Sequence, residues 1–515
     1  MDSVQRVVVV PNEEIGQINP YLHGQFAEHL GELIYPGIFV DPNGKIPNNA
    51  GIRNDVVEAI KPLHVSVLRW PGGCFADTYN WRDGIGPRNK RPTRVNKFWG
   101  MELEPNQFGT HEFIAFCRAI GAEPYFAGNL GSGTPGNLSD WVEYCNFAGK
   151  STLAEERRAN GADEPFGVRY WGIGNENWDC GGQMTPEDYA GAFARYRNYV
   201  FDYPGTNVHA IACGPNNYDW AWTRRFFESL KSYKQSRCRI SKVQGFAGHY
   251  YCWTAGNATQ YDEGQWFELL SKAAAMDGII SGHRTIMDEY DPERKIHFII
   301  DEWGTWHPVE PGKPAGGLYQ QNTIRDACVA GLTLDIFNNH CDKLFMANIA
   351  QLINVLQTLL LVNEEQCVKT PTYHVFDLYQ PHKGAKAVRF LTYGETVSDG
   401  GASARECQLC YLDQRKFALR AVQGSASVRD DMLCVTVVNT HPTQPVELDL
   451  ELYQYSLADS VEVVTLATED MHDHNTFERP DLVKLSSPKQ VEARGEHVRV
   501  TLPAASVTRI MGKIR

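Results

Sequence analysis

The sequence lacks an excess of positive charge. Its 49 Lys and Arg residues are outnumbered by 62 Asp and Glu residues, and the formal net charge is -13 at pH 7. A surface of this sign repels nucleic acid and anionic lipid. We therefore expect neither nucleic acid nor a membrane as a partner, and an uncharged ligand such as a polysaccharide fits the balance better.

A long apolar run is also missing at the N-terminus. The valine-rich stretch at residues 7–10 leads at once into Pro11 and Asn12. It is too short for the core of a signal peptide or for a membrane span, and a valine-rich run of this length is typical of a strand. The expectation is a cytoplasmic protein, although removal of a leader would leave the same sequence.

The cysteines form no regular framework. There are 13 of them, an odd number scattered through the chain, which favours reduced thiols over disulfides. Cys407 and Cys410 form a C-x-x-C pair, but zinc normally takes four ligands and neither a second pair nor a histidine cluster accompanies them. We expect no metal and no cofactor.

The chain is long enough for more than one domain. Residues 19–350 alternate between short apolar runs and segments with helical periodicity, which predicts a (β/α)8 TIM barrel with its active site at the C-terminal ends of the strands. The predicted strands are 19–28, 64–71, 123–129, 168–175, 208–214, 243–250, 296–302 and 343–350, and the helices between them include 109–120, 186–200, 218–230, 264–290 and 319–339.

The pattern changes after about Gly384. Alternating runs such as Met432–Asn439 and 446–453 follow one another without a long helix, which predicts an antiparallel β-sandwich of the jelly-roll type. We expect the valine-rich N-terminal strand to join this sandwich. The predicted domains are therefore 1–18 for that strand, 19–383 for the barrel and 384–515 for the C-terminal β-sandwich.

Two carboxylates follow predicted barrel strands. Glu176, flanked by Asn175 and Asn177, ends the fourth strand, and Asp301 and Glu302 end the seventh. A carboxylate there is a candidate for chemistry, although Glu176 can also be a simple capping residue. Two carboxylates on either side of one bond are what glycoside hydrolysis requires. Alternation along a strand lets only one of Asp301 and Glu302 face inward and does not decide strongly between them.

Three other candidate residues stand at a predicted strand end or in the turn that follows one. His249 ends the sixth strand, where it can orient a carboxylate or be a satisfied structural histidine. Arg69 ends the second strand, where it can lower the pKa of the nucleophile or belong to an ion pair of the barrel core. Cys74 lies in a glycine-rich turn without an evident base, so we expect it to line a pocket and not to react.

Several long motifs, in order along the chain, resemble glycoside hydrolase family 51, the α-L-arabinofuranosidases. The resemblance covers essentially the whole chain. It is carried by Ile18–His29, Leu68–Phe75, Trp81–Pro87, Gly172–Asn177 and Ile300–Gly304.

The resemblance implies a retaining exo-glycosidase that releases terminal arabinofuranose from arabinan, arabinoxylan or their oligosaccharides. It places the acid/base on Glu176 and the nucleophile on Glu302. It also implies a homo-oligomer, with a hexamer as one form. Many members have Asn where this chain has Cys74, so we expect the amide contact to the sugar to be absent or replaced by a weaker thiol contact. Further contacts to sugar hydroxyls fall on Glu28, Asn175, Tyr251 and Gln351.

The sequence leaves two alternatives open. Related barrels carry the same pair of carboxylates, so the chain can be another retaining glycosidase, such as an endo-β-1,4-glucanase or a β-xylosidase. A non-catalytic carbohydrate-binding protein is the more remote alternative, because a binder does not need the pair Glu176 and Glu302. Hydrolysis of aryl arabinofuranoside, aryl xyloside and β-glucan separates these possibilities.

Overall fold

Eight parallel strands close into a barrel in the computed structural model, which describes residues 4–232, 240–253, 255–397 and 419–515. Neighbouring strands follow the chain order around the barrel, and the eighth pairs with the first. The predicted (β/α)8 barrel is thus confirmed. The strands are Gly24–Phe26, Val67–Trp70, Glu123–Gly128, Tyr170–Ile173, His209–Asn216, Gly245–Trp253, His297–Trp306 and Leu344–Ile349.

Helices lie between and after the barrel strands. They are α1 (Asn54–Ile60), α2 (Thr110–Ile120), α3 (Pro135–Asn146), α4 (Thr152–Ala159), α5 (Pro186–Arg197), α6 (Trp220–Ser232), α7 (Glu263–Ala274), α8 (Met276–Asp288), α9 (Ile324–Asn339) and α10 (Pro371–Leu378). The single helix predicted over 264–290 is wrong, since α7 ends before Ala275 and α8 begins after it. Neither Gly nor Pro marks this break, and the apolar periodicity continues across it.

The inside of the barrel is a packed core. Side chains from seven of the strands meet there, namely Val67, Tyr125, Tyr170, Ile211, Ala247, Ile299 and Met346. Bulky inward side chains of this kind fill a TIM barrel and leave no pore, so a ligand can be held only at the end of the barrel. Among the described residues, no helix combines the length and the apolar character needed to cross a membrane.

The C-terminal part of the chain forms a second, nine-stranded closed sheet. The N-terminal strand Gln5–Gln17 belongs to it and pairs antiparallel with Lys386–Tyr393 and parallel with Val446–Leu452. The predicted fold class, a barrel followed by a C-terminal β-domain, is confirmed, while the exact domain boundaries stay a prediction. The remaining strands of this sheet are Val422–Arg429, Met432–Asn439, Ser460–Leu466, Lys489–Arg494, His497–Leu502 and Ser506–Lys513.

Helix α9 joins the two parts of the chain and is buried along nearly its whole length. Its Asp335 carboxylate accepts hydrogen bonds from the hydroxyls of Ser425 at 2.7 Å, Thr436 at 2.6 Å and Tyr379 at 2.9 Å. Ser425 and Thr436 lie on strands of the C-terminal sheet. A buried polar cluster, in addition to apolar packing, therefore ties that sheet to the barrel.

Candidate active site

Glu176 and Glu302 meet at the C-terminal end of the barrel. Glu176 lies three residues beyond the end of the fourth strand at Ile173, and Glu302 lies within the long seventh strand. A carboxylate oxygen of Glu176 lies within 4.8 Å of a carboxylate oxygen of Glu302. Glu176 has a φ of 42°, a left-handed conformation that is uncommon and costs energy for a residue with a side chain.

Glu302 is held as a carboxylate. Its Oε2 accepts a hydrogen bond from the Tyr251 hydroxyl at 2.7 Å, and its Oε1 accepts one from Arg69 Nη1 at 2.6 Å. Burial by itself raises the pKa of Glu302, but the positive charges of His249 and Arg69 and these hydrogen bonds outweigh it, so the pKa is lowered. The site therefore favours the ionised form that a nucleophile needs.

The pKa of Glu176 is shifted in the direction opposite to that of Glu302. Its Oε1 lies 2.9 Å from Nδ1 of His249. Burial raises the pKa of Glu176 and the negative charge of Glu302 adds to this, while the hydrogen bond from His249 acts against both, and the net pKa is raised. Two carboxylic acids whose pKa values are pushed apart in this way are suited to act as an acid and a nucleophile at one pH.

His249 lies between the two carboxylates. Its Nδ1 is 3.5 Å from Oε2 of Glu302 as well as 2.9 Å from Glu176. Burial lowers the pKa of His249, but the charges of Glu302 and Glu176 and the hydrogen bond to Glu176 more than compensate, and the pKa is raised. The sequence leaves open whether His249 orients a carboxylate or is a satisfied structural histidine. The structure places it in direct contact with both acids.

Asp301 also faces the interior of the barrel, so the expectation that only one of Asp301 and Glu302 can do so is wrong. Gly248 pairs with Ile300 and His249 with Glu302, which leaves Asp301 as an extra residue without a partner on the sixth strand. Such a bulge breaks the alternation of side chains. Asp301 Oδ2 accepts from the Tyr125 hydroxyl at 2.7 Å and lies 3.3 Å from Arg69 Nε.

Arg69 combines the two roles that its position in the sequence allows. It forms a buried ion pair with Asp301 and contacts Glu302 directly. Its Nη2 also donates to Oδ1 of Asn175 at 2.6 Å, which fixes the amide beside Glu176. One guanidinium fork thus connects the ends of the second, fourth and seventh strands.

Glu28 and Gln351 form a second polar pair beside the carboxylates. Gln351 Nε2 donates to Glu28 Oε2 at 3.2 Å, and Oε1 of Gln351 accepts the Glu28 backbone N–H at 3.0 Å. Burial, helped by the charge of Glu302, raises the pKa of Glu28 to about 7. A side chain at Gly73 would put its Cβ within 3.3 Å of oxygens of both Glu28 and Glu302, which explains the glycine at this position.

Two residues of the site are not among those predicted from the sequence. Trp99 donates its indole N–H to Glu28 Oε1 at 2.9 Å. Asp77 accepts backbone N–H groups of Leu130 at 2.8 Å, Gly131 at 2.7 Å and Asn175 at 3.1 Å. Trp99 lies in a turn and Asp77 in a short 3-10 helix, Cys74–Thr78, both outside the barrel strands. Apolar periodicity gives no signal there, so only the fold brings these residues to the site.

Cys74 and Cys180 form a disulfide with a Cα–Cα distance of 5.6 Å. The expectation of reduced thiols throughout is therefore wrong. Of the two outcomes expected at Cys74, a thiol contact to the sugar is excluded because the sulfur is bonded to Cys180. The two residues are 106 positions apart in the sequence, and only closure of the barrel brings them together. The sulfurs of Cys180 and Cys74 lie 3.5 Å and 3.9 Å from Glu176 Oε2. Cys407 and Cys410 lie outside the described residues.

All residues predicted for the site lie in one connected cluster. Within the described part of the chain, two groups of side chains have atoms close enough to hold a metal ion: Cys74, Glu176 and Cys180, and Glu176, His249 and Glu302. Aromatic rings adjoin the cluster. Trp306 packs edge-on against Tyr251 at 5.0 Å and stacks on Trp253 at 4.6 Å, and such ring faces are suited to contact a sugar.

A parallel barrel with two carboxylates of opposite pKa shift at its mouth defines a glycoside hydrolase. Over 491 residues, 94% of this chain and 91% of the relative, the sequence is 40% identical to an "Intracellular exo-alpha-L-arabinofuranosidase" of Bacteroides ovatus. The crystal structure of the GH51 arabinofuranosidase from Xanthomonas axonopodis pv. citri is 38% identical, with a TM-score of 0.92 over 99% of this chain and 100% of that one. The chain belongs to glycoside hydrolase family 51, the α-L-arabinofuranosidases.

Two family models and a further crystal structure support the same family assignment. The model of the α-L-arabinofuranosidase 1 domain matches residues 59–264, and that of the α-L-arabinofuranosidase C-terminal domain matches residues 301–506. An arabinose complex of the α-L-arabinofuranosidase from Thermotoga maritima is 30% identical, with a TM-score of 0.84 over 99% of this chain and 100% of that one. The similarity therefore extends over both parts of the fold.

Proposed function

We propose that this protein is a retaining, exo-acting α-L-arabinofuranosidase that releases terminal arabinofuranose from arabinan, arabinoxylan or their oligosaccharides. The observation that carries the proposal is the pair Glu176 and Glu302, with oxygens within 4.8 Å of each other. Retaining glycosidases place their carboxyl groups about 5 Å apart, whereas inverting enzymes leave room for a water at about 6.5–9.5 Å. The sugar is inferred from the names of the relatives.

The first half of the reaction uses the opposite pKa shifts of the two acids. Glu302, held ionised by Arg69 and Tyr251, attacks the anomeric carbon of the arabinofuranose. Glu176, held protonated by burial beside a second carboxylate, gives its proton to the departing glycosidic oxygen. The bond to the leaving group breaks as the bond between the sugar and Glu302 forms.

The second half reverses the role of Glu176. Having lost its proton, it takes one from a water molecule, which attacks the anomeric carbon and releases Glu302. Since both attacks invert the centre, the product keeps the configuration of the substrate. His249 contacts both acids and lowers the pKa of each, so it is a positioning residue for both halves of the cycle.

The sugar hydroxyls are assigned to the polar groups around the pair. Glu28, paired with Gln351, and the amide of Asn175 offer acceptors and donors beside Glu302 and Glu176. Tyr251 faces the nucleophile. A single furanose ring enclosed by these groups corresponds to exo-action, and the stacked indoles of Trp253 and Trp306 would contact the rest of the substrate.

Two substitutions test the assignment. Glu302→Ala should abolish turnover of every substrate. Glu176→Ala should lower kcat/KM on an arabinan oligosaccharide by about 10²–10⁴-fold, because it loses general acid catalysis. It should lower kcat/KM on an aryl arabinofuranoside with a good leaving group much less, although release of the sugar from Glu302 is slowed with both substrates. Glu187→Ala, an exposed glutamate on α5, is the matched control and should keep full activity. Near-normal hydrolysis of the oligosaccharide by both active-site variants would refute the roles of Glu302 and Glu176.

A comparison of hydrolysis rates on three substrates separates the proposed function from the alternatives. An aryl arabinofuranoside should be hydrolysed much faster than an aryl xyloside or soluble β-glucan. Preference for either of the last two would make the protein a β-xylosidase or an endo-β-1,4-glucanase. Binding of arabino-oligosaccharide without any product would make it a carbohydrate-binding protein.

The cellular setting is also a proposal. We infer a cytoplasmic homo-oligomer, a hexamer or a smaller assembly, that acts on oligosaccharides inside the cell. The word "Intracellular" in the name of the Bacteroides ovatus relative supports the location, and the oligomer is what the resemblance to family 51 implies. Light scattering coupled to size-exclusion chromatography of the full chain should give a mass that is a multiple of 58.0 kDa, and a mass of one chain would contradict the oligomer.

A further inference from the structure

Glu176 belongs to two groups of potential metal ligands at once. Its Oε2 faces the sulfurs of Cys180 and Cys74, at 3.5 Å and 3.9 Å, while its Oε1 faces Nδ1 of His249 at 2.9 Å. In the disulfide the sulfur lone pairs are poor ligands for a hard or borderline cation. The same sulfurs as thiolates are among the strongest protein ligands for zinc.

The spacing of Glu176 and the two sulfurs fits a single zinc ion. Zn–S bonds of about 2.3 Å and Zn–O and Zn–N bonds of about 2.0–2.2 Å put the ligand atoms of a tetrahedral site roughly 3.3–3.8 Å apart. The distances of 3.5 Å and 3.9 Å from Glu176 Oε2 to the two sulfurs lie within about 0.1 Å of this range. The ligand atoms of Cys74, Glu176 and Cys180 lie within 4.8 Å of one another, whereas His249 groups with Glu176 and Glu302 instead. Two thiolates and one carboxylate therefore make a set of three protein ligands once the S–S bond is broken, and water takes the fourth position.

We propose that reduction of the Cys74–Cys180 disulfide turns the active site into a Zn²⁺ site made by both sulfurs and Glu176, and that the bound metal inhibits the enzyme. The metal occupies the carboxyl group that has to move a proton, so hydrolysis stops while zinc is bound. Inhibition rests on the role proposed for Glu176, whereas zinc binding itself does not.

The required reduction is a defined two-electron step. A phosphine attacks one sulfur, the S–S bond breaks, and hydrolysis of the phosphonium by water gives two thiols and the phosphine oxide. Zn²⁺ then displaces the two thiol protons as it binds. Cys74 and Cys180 are both only partly buried, so the reductant can reach the bond in the folded protein.

Zinc binding is measured on the full chain in two redox states. Protein is treated with a water-soluble phosphine or left oxidised, its thiols are counted under denaturing conditions, and zinc uptake is followed by equilibrium dialysis. The reduced protein should gain two thiols and bind about one Zn²⁺ per chain more than the oxidised protein. Co²⁺ in place of zinc should give thiolate-to-metal absorption in the near ultraviolet and the visible bands of tetrahedral Co²⁺ only after reduction.

The same samples are assayed with an aryl arabinofuranoside. Micromolar zinc should lower the rate of the reduced enzyme by about tenfold or more and leave the oxidised enzyme nearly unaffected. Cys180→Ser should lose the additional zinc and the thiolate absorption, while Cys341→Ser, a partly buried cysteine that belongs to neither ligand group, should behave as the parent protein.

Three results would overturn the proposal. Equal zinc uptake by the oxidised and reduced proteins would mean that the sulfurs are not ligands. An unchanged thiol count after phosphine treatment would mean that the bond does not open in the folded chain. Zinc uptake by the reduced protein without loss of activity would place the metal elsewhere. Since the first two comparisons use unsubstituted protein and no substrate, they do not depend on the folding of a variant or on the proposed activity.

Discussion

Nδ1 of His249 lies 2.9 Å from Oε1 of Glu176. The same nitrogen is 3.5 Å from Oε2 of Glu302, so one imidazole affects both acids. Its hydrogen bond lowers the pKa of Glu176 and its positive charge lowers that of Glu302. Activity requires Glu302 ionised and Glu176 protonated, which gives a bell-shaped dependence of kcat/KM on pH.

Replacing His249 should move both limbs of this bell in the same direction. In His249→Asn the carboxyl groups lose a partner that favours their ionised forms, so both pKa values rise. The acidic limb, set by Glu302, and the alkaline limb, set by Glu176, should each shift upward by about one pH unit. The measurement is kcat/KM on an aryl arabinofuranoside across the pH range.

His64→Asn is the matched control for that experiment. His64 is exposed and has a φ of 47°, a conformation that Asn adopts readily, so its pH profile should equal that of the parent enzyme. If His249→Asn lowered the rate without moving either limb, the histidine would have only a structural role.

Arg69→Lys tests the guanidinium fork. The parent side chain reaches Glu302 and Asn175 with two different nitrogens, both at 2.6 Å. A single ammonium cannot hold both partners, so kcat/KM should fall by about 100-fold although the charge is kept. The matched control is Arg82→Lys, at an exposed arginine paired with Glu156, which should leave kcat/KM unchanged. A near-normal rate for Arg69→Lys would show that charge alone suffices at this position.

The barrel and its two acids could be predicted because each leaves a local signal. An apolar strand that ends in Asn175 and Glu176, and another that releases Asp301 and Glu302, mark strand ends in a pattern of alternating strands and helices. The bulge at Asp301 leaves no such signal, because it depends on the register between the sixth and seventh strands. The prediction that side chains alternate strictly between the two faces of this strand is therefore wrong at Asp301.

The rest of the site depends on contacts between distant segments. Cys74 and Cys180 are 106 residues apart, and an odd number of scattered cysteines gives no pairing. Trp99 lies in a turn and Asp77 in a short 3-10 helix, and the position of both segments is fixed only by the folded chain. The break between α7 and α8 at Ala275 could not be predicted for a related reason, since apolar periodicity continues across it without Gly or Pro.

Asp335 should make stability depend on pH. Burial raises its pKa to about 8 in the folded chain, although three hydroxyls donate to it. An acid whose folded-state pKa lies above its unfolded value of about 4 contributes fully below that value, and this contribution is lost as pH rises through about 8. Asp335→Asn cannot ionise, so its melting temperature should fall less between pH 5 and pH 8 than that of the parent protein.

Thermal unfolding at the two pH values provides the check. Asp459→Asn, whose carboxylate has a side-chain exposure of 98%, is the matched control and should follow the parent protein at both. An Asp335→Asn variant with the same pH dependence as the parent protein would contradict a buried, proton-binding carboxyl group between α9 and the C-terminal sheet.

The central claim, that Glu302 attacks the sugar and Glu176 moves the proton, is tested most directly by trapping the intermediate. Glu176→Ala is mixed with an aryl arabinofuranoside bearing a good leaving group, so that the sugar is transferred rapidly but released slowly. The protein is then quenched in acid, digested and analysed by mass spectrometry. We predict one pentosyl unit attached to Glu302, in the peptide that contains Asp301 and Trp303. A pentosyl unit on any other residue, or rapid turnover without an adduct and with inversion at the anomeric carbon, would contradict the claim.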